Sequence, residues 1–230
     1  MSVKNEIQVP PPAARRSLNE IEVMGKRAAR GGGLPWGLAE EAGKAARWLT
    51  ARGLPGVEQL ADILTDNDKR LYVELAPAEV DGVWQASSRQ LCPLITGAAV
   101  CDLAAEIAKG RVIELGATMR PLLLAPYVAG AAKLTGVAVV LDWDDVKMTL
   151  TPDGMAIEGN RDALMARGTE RVRCRRADEQ TNVPASEFVN EPAVPAAAWA
   201  RLAALAQRTF APATEASRLS GAGAGLSDNN

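Results

Sequence analysis

Three consecutive strand patterns between residues 136 and 158 most limit what this chain can fold into. Residues 136–142 are rich in β-branched side chains, and residues 146–150 alternate apolar with polar positions. Residues 155–158 follow the turn sequence Pro152-Asp153-Gly154. Short segments of this kind joined by tight turns predict an antiparallel meander.

Helical patterns lie on both sides of the meander. Ser17 and Glu20 match a capping box, which predicts a helix from Leu18. Apolar stripes predict further helices around residues 38–49, 57–64, 95–107, 126–133 and 199–206. Additional strands are predicted at 71–75, 83–84 and 111–115, with an edge strand at 172–174. We therefore expect an α+β fold: a mixed or mainly antiparallel sheet of about five or six strands, packed with helices from both ends of the chain.

The ends of the chain differ in composition from its middle. Residues 1–16 contain three consecutive prolines and little to bury, so we expect a disordered leader. Residues 213–230 form a Gly-rich polar tail. Residues 17–212 are expected to form a single α+β domain, and 47% hydrophobic content is ample for its core.

Charge and apolar patterning disfavour large charged partners. The net charge of −2 arises from mixed basic and acidic residues, which argues against nucleic acid as a partner. No apolar window approaches the ~18 residues of a membrane span, and the first 16 residues lack a signal-peptide core, so we expect a cytoplasmic protein. We leave a small-molecule ligand and a homodimer open.

The chain contains no histidine, which excludes every type of active site and metal site that requires this residue. The serine and cysteine triads built on histidine are excluded, as are zinc and iron sites that need it. Three cysteines give neither a paired disulfide framework nor close zinc-ligand pairs. We therefore expect no cofactor and no metal, and any catalysis must use carboxylates, thiols, Lys, Arg, Tyr or backbone amides.

Two residues are candidate catalytic groups. Glu41 falls at the edge of an apolar helical stripe beside Trp48, where desolvation would raise its pKa; Glu40 lies opposite the stripe and is expected to pair with Lys44. Cys92 precedes a predicted helix whose N-terminus would favour a thiolate. The alternatives are a paired boundary carboxylate and a buried, inert cysteine.

Three residues are candidates for substrate binding. Trp36 lies in an unusual aromatic and polar motif, Arg120 stands before a proline at a strand end, and Arg218 precedes the glycine-rich tail. The tail could close over a ligand, or be a frayed terminus, and Arg120 could form a surface ion pair instead. The run Asp142-Trp143-Asp144-Asp145 could suggest a cation site, but its position favours a hairpin turn.

Several stretches together resemble a bacterial family known as domain of unknown function 3726. They are Ser17-Leu18-Asn19-Glu20 and the segments GLPWGLAEEAG from Gly33, LCPLITG from Leu91, RPLLLAP from Arg120 and SRLSGAGAGLSDNN from Ser217. The resemblance spans approximately residues 17–230. The resemblance implies that the chain belongs to this family. It implies no particular activity, because no activity or catalytic residues are established for the family.

The leading functional hypothesis is a cofactor-independent enzyme acting on a small polar metabolite, such as an amide or amino-acid-like compound. Glu41 would be the acid or base, Cys92 the nucleophile, and Arg120 or Arg218 would hold an anionic group. The alternative is a non-catalytic small-molecule-binding protein or an accessory subunit of a metabolic complex. A pocket that joins Glu41, Cys92 and the tail would favour the enzyme.

Overall fold

The computed structural model describes residues 13–178 and 183–210. Within these ranges the helices are α1 (Leu18–Gly31), α2 (Trp36–Ala51), α3 (Gly56–Asp66), α4 (Tyr72–Leu75), α5 (Pro93–Asp102), α6 (Ala104–Ala108), α7 (Ala125–Thr135) and α8 (Ala196–Gln207). Two 3-10 helices cover Pro121–Leu124 and Arg161–Met165. The strands are β1 (Ala14–Arg15), β2 (Val83–Trp84), β3 (Ile113–Leu115), β4 (Thr118–Met119), β5 (Val139–Trp143), β6 (Val146–Leu150), β7 (Met155–Gly159), β8 (Gly168–Thr169), β9 (Val172–Arg176) and β10 (Ala193–Val194).

Six of the strands form one mixed sheet in the order β2-β3-β9-β5-β6-β7. β2 and β3 are parallel, and every other neighbouring pair is antiparallel. The predicted α+β class and the meander β5-β6-β7 are confirmed. The pairs β1–β10 and β4–β8 form two small separate ladders.

The helices cover one face of the sheet in two layers. α7 packs against β5 and β6, and α6 packs against β9. α2 lies across α5 and α7, and it is covered in turn by α1 and α3. α8 returns from the other end of the chain to pack on α1 and α3, which confirms the predicted contribution of helices from both ends. None of the helices described is long and apolar enough to cross a bilayer.

Helices α1 and α2 approach each other through glycine. The Ser17 capping box that starts α1 is present as predicted. A Cβ on Gly43 of α2 would lie 2.5 Å from the Glu22 carbonyl oxygen and 2.9 Å from the Lys26 amide nitrogen. Because these are backbone atoms of α1, they cannot move aside as a side chain could. The close packing of the two helices therefore requires glycine at this position.

The opposite face of the sheet carries a row of alternating charges, which we call the charge ladder. Directly paired positions on β3, β9, β5, β6 and β7 are Glu114, Arg173, Asp142, Lys147 and Glu158. The Arg173–Glu114 and Lys147–Glu158 ion pairs measure 3.1 and 2.9 Å. Opposite charges directly across strands stabilise one register of the sheet.

Two of the strand predictions are wrong. Residues 71–75 alternate like a strand, but Tyr72–Leu75 forms a short helix in which Leu75 is buried and Val73 is 71% exposed. β9 was expected at an edge because arginines alternate along it. It lies instead in the middle of the sheet, where carboxylates of both neighbouring strands compensate its charges.

The predicted end of the leader also needs correction. Residues 1–12 lie outside the described residues, but Ala14 and Arg15 pair with Val194 and Ala193. The Arg16 guanidinium lies 4.7 Å from the centre of the Trp199 ring. The prediction that the disordered leader extends to residue 16 is therefore wrong for residues 14–16. These residues contact β10 and α8, which are distant in sequence.

The close contact at Gly43 generates the first prediction. Gly43→Ala should lower the free energy of unfolding by about 1–3 kcal/mol, because the added methyl group overlaps the α1 backbone. Gly37→Ala in the same helix is the matched control, since no atom lies within 4 Å of its added Cβ. That variant should keep or slightly raise stability, by up to about 1 kcal/mol. Urea unfolding of both variants measures the difference, and equal effects would contradict the proposed packing role.

Candidate functional site

The two predicted catalytic residues lie in different surroundings, Glu41 partly exposed and Cys92 buried. Glu41 lies on α2 and pairs with Lys44 at 2.7 Å, with 45% of its side chain exposed. The expected Glu40–Lys44 pair is wrong, because Glu40 binds Lys26 of the adjacent α1 at 2.5 Å. Glu41 thus occupies the position of a paired boundary carboxylate.

The predicted substrate-binding residues are also dispersed. Trp36 is 58% exposed, and the Lys26 and Arg30 cations lie over its ring. Arg120 is buried and pairs with Asp62 at 2.9 Å and with Asp66 at 3.0 Å. Arg120 thus forms ion pairs, but the expectation that they lie on the surface is wrong, because its guanidinium is buried. Arg218 and the tail lie outside the described residues.

Cys92 lines a small cleft at the start of α5, which we call the Cys92 cleft. The enclosed part has a volume of about 30 Å³. Its lining comes from the α1–α2 turn, the end of α3, α4 and the first turn of α5: Gly32, Gly33, Leu34, Pro35, Leu64, Asn67, Arg70, Tyr72, Leu75, Cys92, Leu94 and Ile95. The cleft thus joins parts of the GLPWGLAEEAG and LCPLITG segments.

The environment of Cys92 does not activate its thiol. Cys92 is 2% exposed, and this burial raises the pKa of the thiol. The backbone of Ile95 and Leu94 and the side chain of Asn67 act in the opposite direction, but their effect is smaller. The expected thiolate is therefore wrong, because desolvation outweighs the field of the helix N-terminus.

A larger pocket, which we call the Trp48 pocket, opens at the other end of α2. Its volume is about 500 Å³, which lies in the range of ~300–1,000 Å³ typical of small-molecule sites. Its walls come from α2, α7, the β6–β7 turn and residues 185–188: Trp48, Arg52, Pro126, Ala129, Gly130, Lys133, Thr151, Pro152, Asp153, Gly154, Ala185, Ser186 and Phe188. Trp48 is half-buried, packs against the core and borders this pocket.

Arg52 lies between two aromatic rings in the Trp48 pocket. Its guanidinium carbon is 3.9 Å from the Trp48 ring centre and 4.8 Å from that of Phe188. Nη1 donates to the Trp48 carbonyl oxygen at 3.2 Å, whereas the buried Nε has no hydrogen-bond partner among the described residues. Burial lowers the pKa of Arg52, but a guanidinium remains charged at neutral pH.

The cations of the Trp48 pocket are available for a ligand. In the described ranges, no carboxylate lies within 4.0 Å of the charged nitrogens of Arg52 or Lys133. Asp153 is the one acidic residue of the lining given above, so the basic side chains outnumber it. The Ser186 hydroxyl is buried and has no hydrogen-bond partner among these residues. The pocket thus combines an aromatic wall, positive charge and an available hydroxyl group.

Residues 185–188 form one wall of the Trp48 pocket, and backbone hydrogen bonds of Ser186 and of the adjacent Val189 hold this segment in place. The Val189 amide donates to the Ala51 carbonyl oxygen at 2.8 Å, and the Ser186 amide donates to that of Asp153 at 3.3 Å. Gly154 allows the approach, since a Cβ there would lie 2.3 Å from the Pro184 carbonyl oxygen. The glycine of the predicted turn therefore shapes the pocket as well as the hairpin.

The N-terminal third of the chain matches a known family model. Residues 16–92 match the family described as "Protein of unknown function (DUF3726)". The similarity to this family is limited to that segment of the chain. It contains the predicted capping box and most of the lining of the Cys92 cleft, whereas the Trp48 pocket is built by the DUF3726 segment together with later elements.

Comparisons with individual proteins give only distant similarity. No curated protein matches the chain. Malate dehydrogenase from Entamoeba histolytica is similar with a TM-score of 0.48 and 11% identity over 64% of this chain and 49% of that protein. Malate dehydrogenase from Pyrococcus horikoshii OT3 has a TM-score of 0.48 and 12% identity over 67% of this chain and 57% of that protein. The chain thus spans about half the length of these dehydrogenases.

Sequence reasoning missed the principal residues of the Trp48 pocket. Trp48 and Arg52 are spaced i, i+4 at the end of a predicted helix, and this spacing could have suggested their contact. Phe188 and Lys133 carry no comparable signal, because they reach the pocket from segments distant in sequence.

The burial of the thiols generates the second prediction. Cys92 and Cys174 are buried, whereas Cys101 is partly exposed. Iodoacetamide should therefore modify Cys101 first in the native protein, and all three cysteines at similar rates in denaturant. Peptide mass spectrometry can follow each site. Fastest native labelling of Cys92 would contradict an unactivated thiol and restore the nucleophile hypothesis.

Proposed function

We propose that this protein binds a small anionic metabolite with a planar group in the Trp48 pocket, without a catalytic role for Glu41 or Cys92. The observation that carries the proposal is Arg52, a half-buried cation stacked between Trp48 and Phe188 with no carboxylate partner in the described part of the chain. Burying a charge is costly unless an opposite charge or hydrogen bonds compensate it. An anionic ligand would supply that compensation.

The other parts of the lining support the same ligand class. The Lys133 ammonium provides a second cation, and the Ser186 hydroxyl provides a hydrogen bond. Pro126, Ala129 and Pro152 form apolar surface against which a planar ring can pack. A carboxylate on such a ring would be attracted to Arg52, whose planar guanidinium suits bidentate binding.

The arrangement supports the enzyme hypothesis less well. An enzyme based on Glu41 and Cys92 needs both groups within reach of one substrate, but Glu41 lines neither the Cys92 cleft nor the Trp48 pocket. Cys92 also has a raised pKa, which disfavours the thiolate. Binding is therefore the better-supported alternative of the two.

A ligand screen with a matched variant tests the proposal and is the third prediction. Planar carboxylates such as benzoate and indole-3-carboxylate should raise the melting temperature, since ligands of the folded state stabilise it. Arg52→Gln should weaken binding at least tenfold by calorimetry, which corresponds to about 1.4 kcal/mol.

Arg47→Gln is the control for this experiment. Arg47 lies on the same helix, is 48% exposed and pairs with Glu22 outside the pocket. Its substitution should leave the affinity unchanged. Equal affinity in Arg52→Gln and the original protein, or no planar carboxylate that binds, would overturn the proposal.

A further inference from the structure

The lining of the Trp48 pocket carries charges of both signs that do not pair with one another. Arg52 and Lys133 are its cations, and Asp153 is its carboxylate. Among residues 13–178 and 183–210, no ion pair of 4.0 Å or less joins Asp153 to either cation or to another basic group. A ligand in the pocket can therefore contact a positive and a negative group at the same time.

Backbone hydrogen bonds hold Asp153 against the wall formed by residues 185–188. Its carbonyl oxygen accepts from the Ser186 amide at 3.3 Å. The turn itself is closed by the Gly154 amide, which donates to Thr151 Oγ1 at 2.8 Å. Aspartate and asparagine both favour turns, so the turn requires the shape of this side chain and not its charge. The charge of Asp153 is left for another role.

A carboxylate in this lining disfavours a ligand that is only an anion. Arg52 would attract such a ligand and Asp153 would repel it, and like charges brought together reduce affinity. An ammonium group on the same ligand changes the repulsion into an attraction. A volume of about 500 Å³ has room for a ring and both charged groups. The lining is therefore complementary to a ligand with one charge of each sign.

We infer that the planar carboxylate bound in the Trp48 pocket also carries an ammonium group, which Asp153 binds. The ligand class is thus an amino acid with a planar ring. The inference rests on the function proposed above, because Arg52 holds the carboxylate, while Lys133 is exposed and its charge is solvated. The ammonium group can stand beside the carboxylate, as in an α-amino acid, or at the far end of the ring, and the separation of the two charges distinguishes these ligands.

Two matched pairs of ligands test the inference and form the fourth prediction. L-Tryptophan and indole-3-propionate differ only in the ammonium group beside the carboxylate. The compounds 4-(aminomethyl)benzoate and 4-methylbenzoate differ only in an ammonium group across the ring. Calorimetry with the full chain at neutral pH should show at least tenfold tighter binding of the ammonium-bearing member of one pair. The pair that shows this gain reports the separation of the two charges in the ligand.

Asp153→Asn separates recognition of the ammonium group from folding of the turn. Asparagine retains the turn preference and removes the charge, so the melting temperature should change little. The gain from the ammonium group should disappear, whereas the two ligands without it should bind equally well or more tightly. Asp145→Asn is the matched control, because Asp145 is an exposed turn residue between β5 and β6 outside this lining. This control should retain the gain.

The possible results separate the inference from the function on which it rests. The inference is overturned if the ammonium group gives no gain in either pair, or if the gain persists in Asp153→Asn. The proposed function fails separately if Arg52→Gln binds the two ligands without an ammonium group as tightly as the original protein does. If none of the four compounds binds, both are overturned.

Discussion

The ion pairs of the buried Arg120 join the outer helices to the rest of the fold. The guanidinium contacts Asp62 and Asp66, which lie one turn apart on α3, and Asp62 also binds Arg201 of α8. Arg120 itself has a φ of 39° and turns the chain from β4 into the 3-10 helix before α7. Because a buried arginine requires its partners, this contact helps to fix α7, one wall of the Trp48 pocket, against the outer helices.

The sequence predicted those elements whose signals are local. The Ser17 box starts α1 as expected, and alternation within residues 139–159 produces the predicted meander. The failures come from contacts distant in sequence. Alternating arginines in β9 indicate a solvent-exposed edge, but whether the strand is central depends on Glu114 and Asp142 in other strands.

The candidate sites were less predictable than the fold for the same reason. The position of Cys92 at a helix start could be predicted, whereas its burial under α3 and α4 could not, and burial decides the direction of its pKa shift. The Trp48 pocket requires α2, α7, a hairpin turn and residues 185–188 to meet. The periodicity of a single segment does not show which other segments it contacts. Arg52 was therefore not among the predicted residues.

Helix α2 also sets the spacing between the two candidate sites. The turn that precedes it borders the Cys92 cleft, and Trp48 near its far end borders the larger pocket. At about 1.5 Å per residue, the helix separates Pro35 from Trp48 by roughly 20 Å. A group held beside Cys92 therefore cannot touch a ligand stacked near Arg52. Helix α2 keeps the Cys92 cleft and the Trp48 pocket about one helix length apart, so one small molecule cannot occupy both.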